Sequence, residues 1–357
     1  MIQSRESNET SLTATRSEKV EEIRALENIG ISAVIVNYNG SDILNDCIST
    51  LLNQTRPPIE IIVVDNGSTD DSVKIVREKF PQVNVQECRA NLGYAGGNNV
   101  GAKLARGEFV VLVNNDAELD SNCLEELSHV LTSEPDLVAV QGKVLRRAQP
   151  FIIDSIGSYL TPTGFLYHMG HNKRDTFDRE SYIFSAKGVC MMIRRDLFHY
   201  LGEFDSDYFA YFEESDFCWR SWIAGYKVKL VPSSITYHRV GYTSTKLARG
   251  FIDYHSFKNR ICSIIKNCGA WNLPFILASH LLLCVLIMGG LAARNQSQRA
   301  SGVLRALVWN AANLRLTLKK RKSIQSELRK VSDREIFQKL LVSPNLRYYW
   351  NLFRGYL

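Results

Sequence analysis

Glu108-Phe-Val-Val-Leu-Val-Asn-Asn-Asp116 is an apolar, β-branched run that ends abruptly in an acid. About four to eight such residues read as a buried strand, and Asn-Asn-Asp breaks it. The design recurs upstream, where Ile59-Glu-Ile-Ile-Val-Val-Asp65 runs into Asn-Gly-Ser-Thr-Asp70. In an open α/β sheet, ligands bind in the crevice outside the carboxyl ends of the strands. Two strands therefore deliver carboxylates to one rim, suited to hold a base, a ribose or a metal. The competing reading is that Asp65 and Asp116 only cap the helices that follow.

Around these strands the pattern alternates. Strands are predicted at 31–38, 59–64, 83–87 and 109–113, and helices at 41–53 (capped by Ser41), 70–80, 95–105 and 123–132. Strands alternating with helices give a parallel sheet of βαβ units, an α/β fold. After a further strand at 137–145 the rhythm breaks at Gly157, Gly164 and Gly170, which predicts hairpins and loops. Helices return at 195–201 and 215–224, followed by a strand pair at 227–231 and 234–237. From about Phe251 the pattern is helical.

The formal charge of +6 over 357 residues hides an asymmetry. Residues 1–245 carry 24 Lys and Arg against 33 Asp and Glu, whereas 246–357 carry 19 against 4. An acidic body with a basic, partly apolar tail points to a membrane surface or nucleic acid as the tail's partner. The tail lacks aromatics interleaved for base stacking, which disfavours nucleic acid. Its stretch Leu273–Ala293 has 21 residues and no formal charge, long enough to span a bilayer. Basic residues on both sides give little positive-inside contrast, so a shallow segment fits as well as a span, and a buried core helix remains the alternative. Residues 1–28 are polar, read as a disordered tail, and show no apolar core of a signal peptide. The eight cysteines have no CxxC spacing and read as reduced.

Three further segments carry chemistry. In Asn91-Leu-Gly-Tyr-Ala-Gly-Gly-Asn-Asn-Val-Gly101, glycines let backbone approach a ligand, and the helix N-terminus favours an anion; a structural turn is the alternative. A diphosphate can also be neutralised through Mg²⁺ or Mn²⁺ held by carboxylates, with Asp116 and His238 as candidate ligands. In Tyr208-Phe-Ala-Tyr-Phe-Glu-Glu-Ser-Asp-Phe-Cys-Trp-Arg220, three acids follow an aromatic run. Apolar surroundings and like charges raise a carboxylate's pKa, which suits a general base, while an acidic helix start stabilised by the macrodipole is the plainer reading. Gly188, before an apolar strand, lets a sugar lie against the backbone or marks a bulge.

Taken in order, Val34-Ile-Val-Asn-Tyr-Asn-Gly40, Val64-Asp-Asn-Gly-Ser-Thr-Asp70, the Asn91 turn, Val113-Asn-Asn-Asp116, Gly188 and Phe212-Glu-Glu-Ser-Asp-Phe-Cys-Trp-Arg220 resemble a family 2 glycosyltransferase. The likeness is to the rhamnosyltransferase-like branch and covers about residues 31–245. The resemblance implies a GT-A fold over 29–245, with 246–357 as a basic helical region carrying the apolar segment 273–293. It implies inverting, metal-dependent transfer from a nucleotide-diphosphate sugar, of dTDP-rhamnose or UDP-hexose type. The acceptor would be a glycan or polyprenyl-linked glycan at the cytoplasmic face of the cell membrane. Donor contacts would come from Asn37, Asn39, Asp65, Asn91, Gly93, Gly96, Asn98, Asn115 and Asp116. Mg²⁺ or Mn²⁺ would sit on Asp116 and His238, and Gly188 and Trp219 would face the acceptor. Glu214 aligns with the family's base, with Glu213 and Asp216 left open. A non-catalytic, membrane-bound nucleotide-sugar-binding scaffold of the same fold is the alternative.

Overall fold

A computed structural model describes residues 30–350 apart from 243, 244 and 246; the polar tail at 1–28 lies outside the described residues. The βαβ rhythm is realised as β1 (Ile31–Asn37), α1 (Leu44–Leu52), β2 (Glu60–Asp65), α2 (Ser72–Lys79), β3 (Asn84–Glu87), α3 (Gly93–Leu104) and β4 (Phe109–Asn114). Then come β5 (Ala117–Leu119), α4 (Cys123–Ser133), β6 (Leu137–Arg146), β7 (Gln149–Ser155), β8 (Ser158–Leu160), β9 (Leu166–His168), β10 (Ser181–Tyr182) and β11 (Cys190–Arg194). The body closes with α5 (Arg195–Tyr200), α6 (Glu213–Ile223) and β12 (Lys227–His238). Residues of β1, β2 and β4 are buried almost throughout, as strands covered on both faces require.

In the sheet the order is β10-β12-β6-β11-β4-β1-β2-β3, with β5 on β12 and β7 on β6. The strands β3, β2, β1 and β4 are mutually parallel, and β11 is antiparallel to both β4 and β6. The order reverses at β1, the topological switch point where α/β sheets bind ligands. Glycines of α3 let it lie close on β1: a Cβ on Gly101 would sit 2.2 Å from Val34 Cγ1, and one on Gly97 2.7 Å from Val36 Cγ1.

Two local expectations are corrected. The segment 227–237 is one strand, not a pair. It runs parallel to β6 with a register shift between Val231 and Ile235, where Pro232 has no N–H to give to a ladder. Ser41 does not cap the first helix, which starts at Leu44 without a side-chain cap; its N–H instead donates to Asp70 Oδ2 at 2.9 Å.

The C-terminal region forms α7 (Arg249–Asn267), α8 (Leu273–Ala293), α9 (Ser297–Ala312), α10 (Leu314–Ser323), a π-helical turn (Ile324–Leu328) and α11 (Asp333–Leu340). It is joined to the body by charge. Lys266, buried, reaches Asp205 and lies 3.1 Å from Asp216 Oδ2, and Lys320 lies 2.5 Å from Asp205 and 2.6 Å from Asp207. Part of the basic tail is therefore the counter-charge of the acidic body. Helix α8 packs against α7 and α9 along one stripe, so the apolar segment is half core helix and half exposed surface. All eight cysteines are free.

Breaking a buried pair by deleting one partner leaves an uncompensated charge and costs about 3–5 kcal/mol. Lys266→Ala should therefore lower unfolding stability by that order, read from the urea midpoint; an unchanged midpoint would contradict the integration of α7 with the body. Burial would raise Asp205 and Asp216, but the Lys266 ammonium and its basic neighbours outweigh it and hold both below the usual carboxylate range. Their contribution is present above about pH 4, the unfolded carboxylate value, and is lost as pH falls through the folded values. An acid-unfolding scan should show a larger loss in wild type than in Lys266→Ala, where Lys320 and Arg220 remain beside the two acids.

Candidate active site

The loops after β1 and β2 are tied to each other by their own polar side chains. Asn37 Nδ2 donates to Asp65 Oδ1 at 3.2 Å and Ser72 Oγ at 2.9 Å. Asp65 Oδ2 accepts the N–H groups of Gly67 and Ser68, and Asn39 Oδ1 accepts that of Thr69. Asp65 therefore braces a turn and does not cap α2. One lone pair on its Oδ1 stays open to a ligand donor. Asn115 Nδ2 donates to Asn37 Oδ1 at 3.1 Å, which extends the tie across the switch point to the end of β4.

Beyond β4 the chain turns into β5, whose antiparallel pairing with β12 sets Ala117 opposite His238. This register brings Asp116 to His238. His238 Nε2 lies 3.4 Å from Asp116 Oδ1, outside hydrogen-bond geometry, and that buried oxygen has no hydrogen-bond partner. The other ring nitrogen, Nδ1, is 2.8 Å from Asp154 Oδ2, and Lys187 Nζ is 2.6 Å from the same oxygen. Burial alone would push the His238 pKa down, but the two carboxylates outweigh it and hold it above its ordinary value. Asp116, His238, Asp154 and Lys187 thus form a charged line along the rim.

This arrangement suits a hard divalent cation. An unpartnered carboxylate oxygen faces an imidazole nitrogen, and the far nitrogen is fixed by a carboxylate, the usual outer support of a metal-bound histidine. Among the described residues no set of three His, Cys, Asp or Glu side chains forms a closed cage. Protein ligands this few suit an ion that completes its shell with phosphate and water oxygens. An open cleft of about 590 Å³ adjoins His238 and is lined by Arg146, Arg147, Gln149, Arg239 and Tyr242. A recess of about 390 Å³ lies away from these groups, beside β3; its acid, Glu60, is already bonded to Ser32 and Arg106.

The acids of α6 separate by environment. Asp216 is fully buried and spends both oxygens on α6 and α7. Ser263 Oγ and Asn267 Nδ2 donate to Oδ1 at 2.8 Å each, and Arg220 Nε and Lys266 Nζ donate to Oδ2 at 3.0 and 3.1 Å. Glu213 is buried, and burial with the adjacent Glu214 charge pushes its pKa well up. Glu214 is the least buried of the three as a residue, although its Oε2 is buried and has no hydrogen-bond partner. Burial raises its pKa too, while the Gly188 N–H and the Lys187 charge pull it back. The Lys187 ammonium that bonds to Asp154 thus also favours the ionised form of Glu214.

Glu213 and Glu214 follow a strained turn. Tyr211 and Phe212 both have positive φ, 71° and 75°, at a cost of about 1–3 kcal/mol each for residues with a Cβ. Asn259 Nδ2 in α7 holds them, donating to the Ala210 and Tyr211 carbonyls at 2.9 and 2.6 Å.

Other expected contacts fall elsewhere. Asn91 Oδ1 accepts the Gly93 N–H and Asn98 Nδ2 donates to the Tyr94 carbonyl, so both serve the turn and helix they belong to. A Cβ on Gly93 would meet the Phe209 carbonyl oxygen at 2.1 Å, and one on Gly96 the Leu92 Cβ at 2.8 Å; these glycines relieve packing. Gly188 receives the Tyr94 hydroxyl on its carbonyl at 2.6 Å, and a Cβ there would sit 2.4 Å from that hydroxyl. Trp219, expected toward the acceptor, is 0 % exposed and stacks edge-on with Phe184 in the core. Asp154, Lys187 and Asn259 were not foreseen: Asp154 lies where the strand rhythm breaks, and Asn259 in a helix whose pattern shows only periodicity.

Residues 32–202 match the family model described as glycosyl transferase family 2. A Haloferax volcanii hexosyltransferase of low-salt glycan biosynthesis is 24% identical over 64% of this chain and 74% of its own length. An N-acetylglucosaminyl-diphospho-decaprenol L-rhamnosyltransferase of Mycobacterium tuberculosis is 23% identical over 71% of this chain and 92% of its own. Among solved structures, GalNAc-T7 with UDP, GalNAc and Mn²⁺ superposes with a TM-score of 0.55 at 17% identity, over 67% of this chain and 48% of that one. That likeness fixes the GT-A-like fold.

Asn259→Asp keeps the shape of the side chain but loses its donors. It should release the strained turn, raising amide exchange at Tyr211–Glu214 relative to the core strands. Unchanged protection there would mean that the turn holds itself.

Proposed function

We propose that this chain, whose residues 32–202 match the glycosyl transferase family 2 model, is an inverting, metal-dependent glycosyltransferase. It moves a sugar from a nucleotide-diphosphate donor, of dTDP-rhamnose or UDP-hexose type, to a hydroxyl of a lipid-linked or surface glycan at the cytoplasmic face of the membrane. The observation that carries this reading is the Asp116–His238 pair at the strand-end rim, with Asp116 Oδ1 buried and without a hydrogen-bond partner and Asp154 fixing the far imidazole nitrogen. The Mycobacterium relative's diphospho-decaprenol substrate supports the acceptor class, and the Mn²⁺ and UDP of the solved relative support the donor side.

Asp116 Oδ1 and His238 Nε2 would hold Mg²⁺ or Mn²⁺, with Asp154 fixing the imidazole. Such a cation, when bound, neutralises the diphosphate leaving group. The nucleoside lies over the carboxyl ends of β1 and β2, where Asn37, Asn39 and Asp65 shape the loops and Asp65 offers its open lone pair. Glu214, ionised with the help of Lys187 and the Gly188 N–H, takes the proton of the acceptor hydroxyl. The hydroxyl oxygen bonds to the anomeric carbon as the bond to the diphosphate oxygen breaks on the opposite face, inverting the configuration. Glu213, its pKa pushed well up by burial and the Glu214 charge, lies beside it, and Asp216 anchors α6.

A general base is worth about 10²–10⁴-fold. Glu214→Gln should lose transfer by that order under saturating donor, while Asp216→Asn should act mainly on stability. Near wild-type transfer by Glu214→Gln, with Asp216→Asn folded but inactive, would move the base to Asp216. Asp116→Ala should nearly abolish transfer and donor hydrolysis. Since Glu214 must be ionised, kcat should fall as pH drops through its folded pKa, on a limb above the ordinary Glu value. Lys187→Met removes a lowering charge and should shift that limb upward; a limb that stays put would dissociate Glu214 from it.

A further inference from the structure

Helix α8 is long and apolar enough to cross a bilayer, yet its packing opposes a crossing. Its buried positions Ile276, His280, Cys284, Ile287 and Leu291 recur at helical spacing, along about 22 Å at 1.5 Å per residue. Cys284, Ile287 and Leu291 pack with Phe257, Ile261 and Ile265 of α7 and with Val303 and Ala306 of α9, and Ile276 joins the core of the body. Near the other end, His280 Nδ1 is 2.8 Å from the carbonyl oxygen of Thr163 in the turn between β8 and β9. A bilayer around α8 would have to enclose that turn and α7, with its Asp253, Lys258 and Lys266. Irregular backbone and ionised side chains do not face hydrocarbon.

The opposite stripe of α8 is exposed and wholly apolar: Phe275, Ala278, Leu282, Val285, Leu286 and Gly289. On α9, Leu304 and Val308 are exposed beside Arg305, turned away from the side that packs on α7. Just before α8, Trp271 is 86% exposed; indole rings favour the membrane–water boundary. No Asp or Glu occurs from residue 254 to 326, a segment with eleven Lys and Arg, and Arg294, Arg315, Lys319 and Lys322 are exposed. Two copies meeting on this face would oppose like charges with no acids between them. An anionic lipid surface supplies both the apolar depth and the counter-charge.

We propose that the outer faces of α8 and α9 lie in the plane of an anionic leaflet, with α8 flat at the headgroup–acyl boundary. The chain is then held on one side of the membrane without crossing it. This deepens the membrane-associated reading above and rests on it. The test is co-sedimentation of the full chain with phosphatidylcholine vesicles, with and without phosphatidylglycerol. Binding should require the anionic lipid, and Leu282→Glu/Leu286→Glu should weaken it about tenfold or more. The variant's circular dichroism and cation-dependent donor hydrolysis should stay as in wild type, which separates failure of the docking surface from failure of the transferase reading. If the variant does not fold, quenching of Trp271 in the wild type by brominated lipid serves instead. Binding to neither vesicle, unaltered binding by a folded variant, or a dimer that the variant dissolves would overturn the proposal. In membranes, Trp271→Cys and Asn295→Cys should label from the same side; labelling from opposite sides would establish a span.

Discussion

The approach of Asp116 to His238 rests on a pairing made far from either residue in sequence. Strand β5 is only three residues long, and its antiparallel register on β12 sets Ala117 against His238. For β12 to reach that position it must run unbroken beside β6, absorbing Pro232–Ser234 as an irregularity. The backbone also closes the contact, since the Arg239 N–H donates to the Asp116 carbonyl at 3.0 Å. Asp154, delivered by β7 from the far side of β6, then fixes the ring. An unpartnered buried carboxylate oxygen is costly; its persistence here agrees with a site shaped for a ligand and not for stability.

The second constraint is electrostatic. The acids of the body do not all serve one purpose, because burial and neighbours sort them. Asp205 and Asp216 are neutralised by Lys266 from α7, which ties the C-terminal helices to the helix that carries Glu214. The same α7 holds the Tyr211–Phe212 turn through Asn259. The strained turn and the ion network therefore both act on α6, so the geometry of Glu214 depends on residues of the C-terminal helices.

Much of this was legible in the sequence. The strands ending in Asp65 and Asp116 carried their own boundaries, because β-branched runs stopped by Asn and Asp leave little freedom. They fixed the parallel half of the sheet and the rim. The acidic start of α6 was legible through its motif. Of the antiparallel half, β11 was legible as the apolar strand after Gly188, but β5 and β10 were not, since they are short and their pairing is set by tertiary contacts instead of periodicity. The long β12 read as two strands because Pro232 interrupts it. Asn91 and Asn98 read as ligand contacts, and local hydrogen bonding, which competes for any Asn near a turn, takes the Oδ1 of Asn91 and the Nδ2 of Asn98. The charge of the tail pointed outward to a partner, although Lys266 and Lys320 turn inward; charge counts carry no direction.

The central claim is that a donor diphosphate is held by a cation at Asp116 and His238 and released on transfer. The direct measurement is release of nucleoside diphosphate from a panel of nucleotide sugars, each with Mg²⁺, with Mn²⁺ and with chelator. A restricted set of donors should turn over, with a requirement for the divalent cation and loss of turnover on chelation. Turnover undiminished by chelator would contradict the metal-held diphosphate, and a folded chain that turns over none of the donors would contradict the transferase reading.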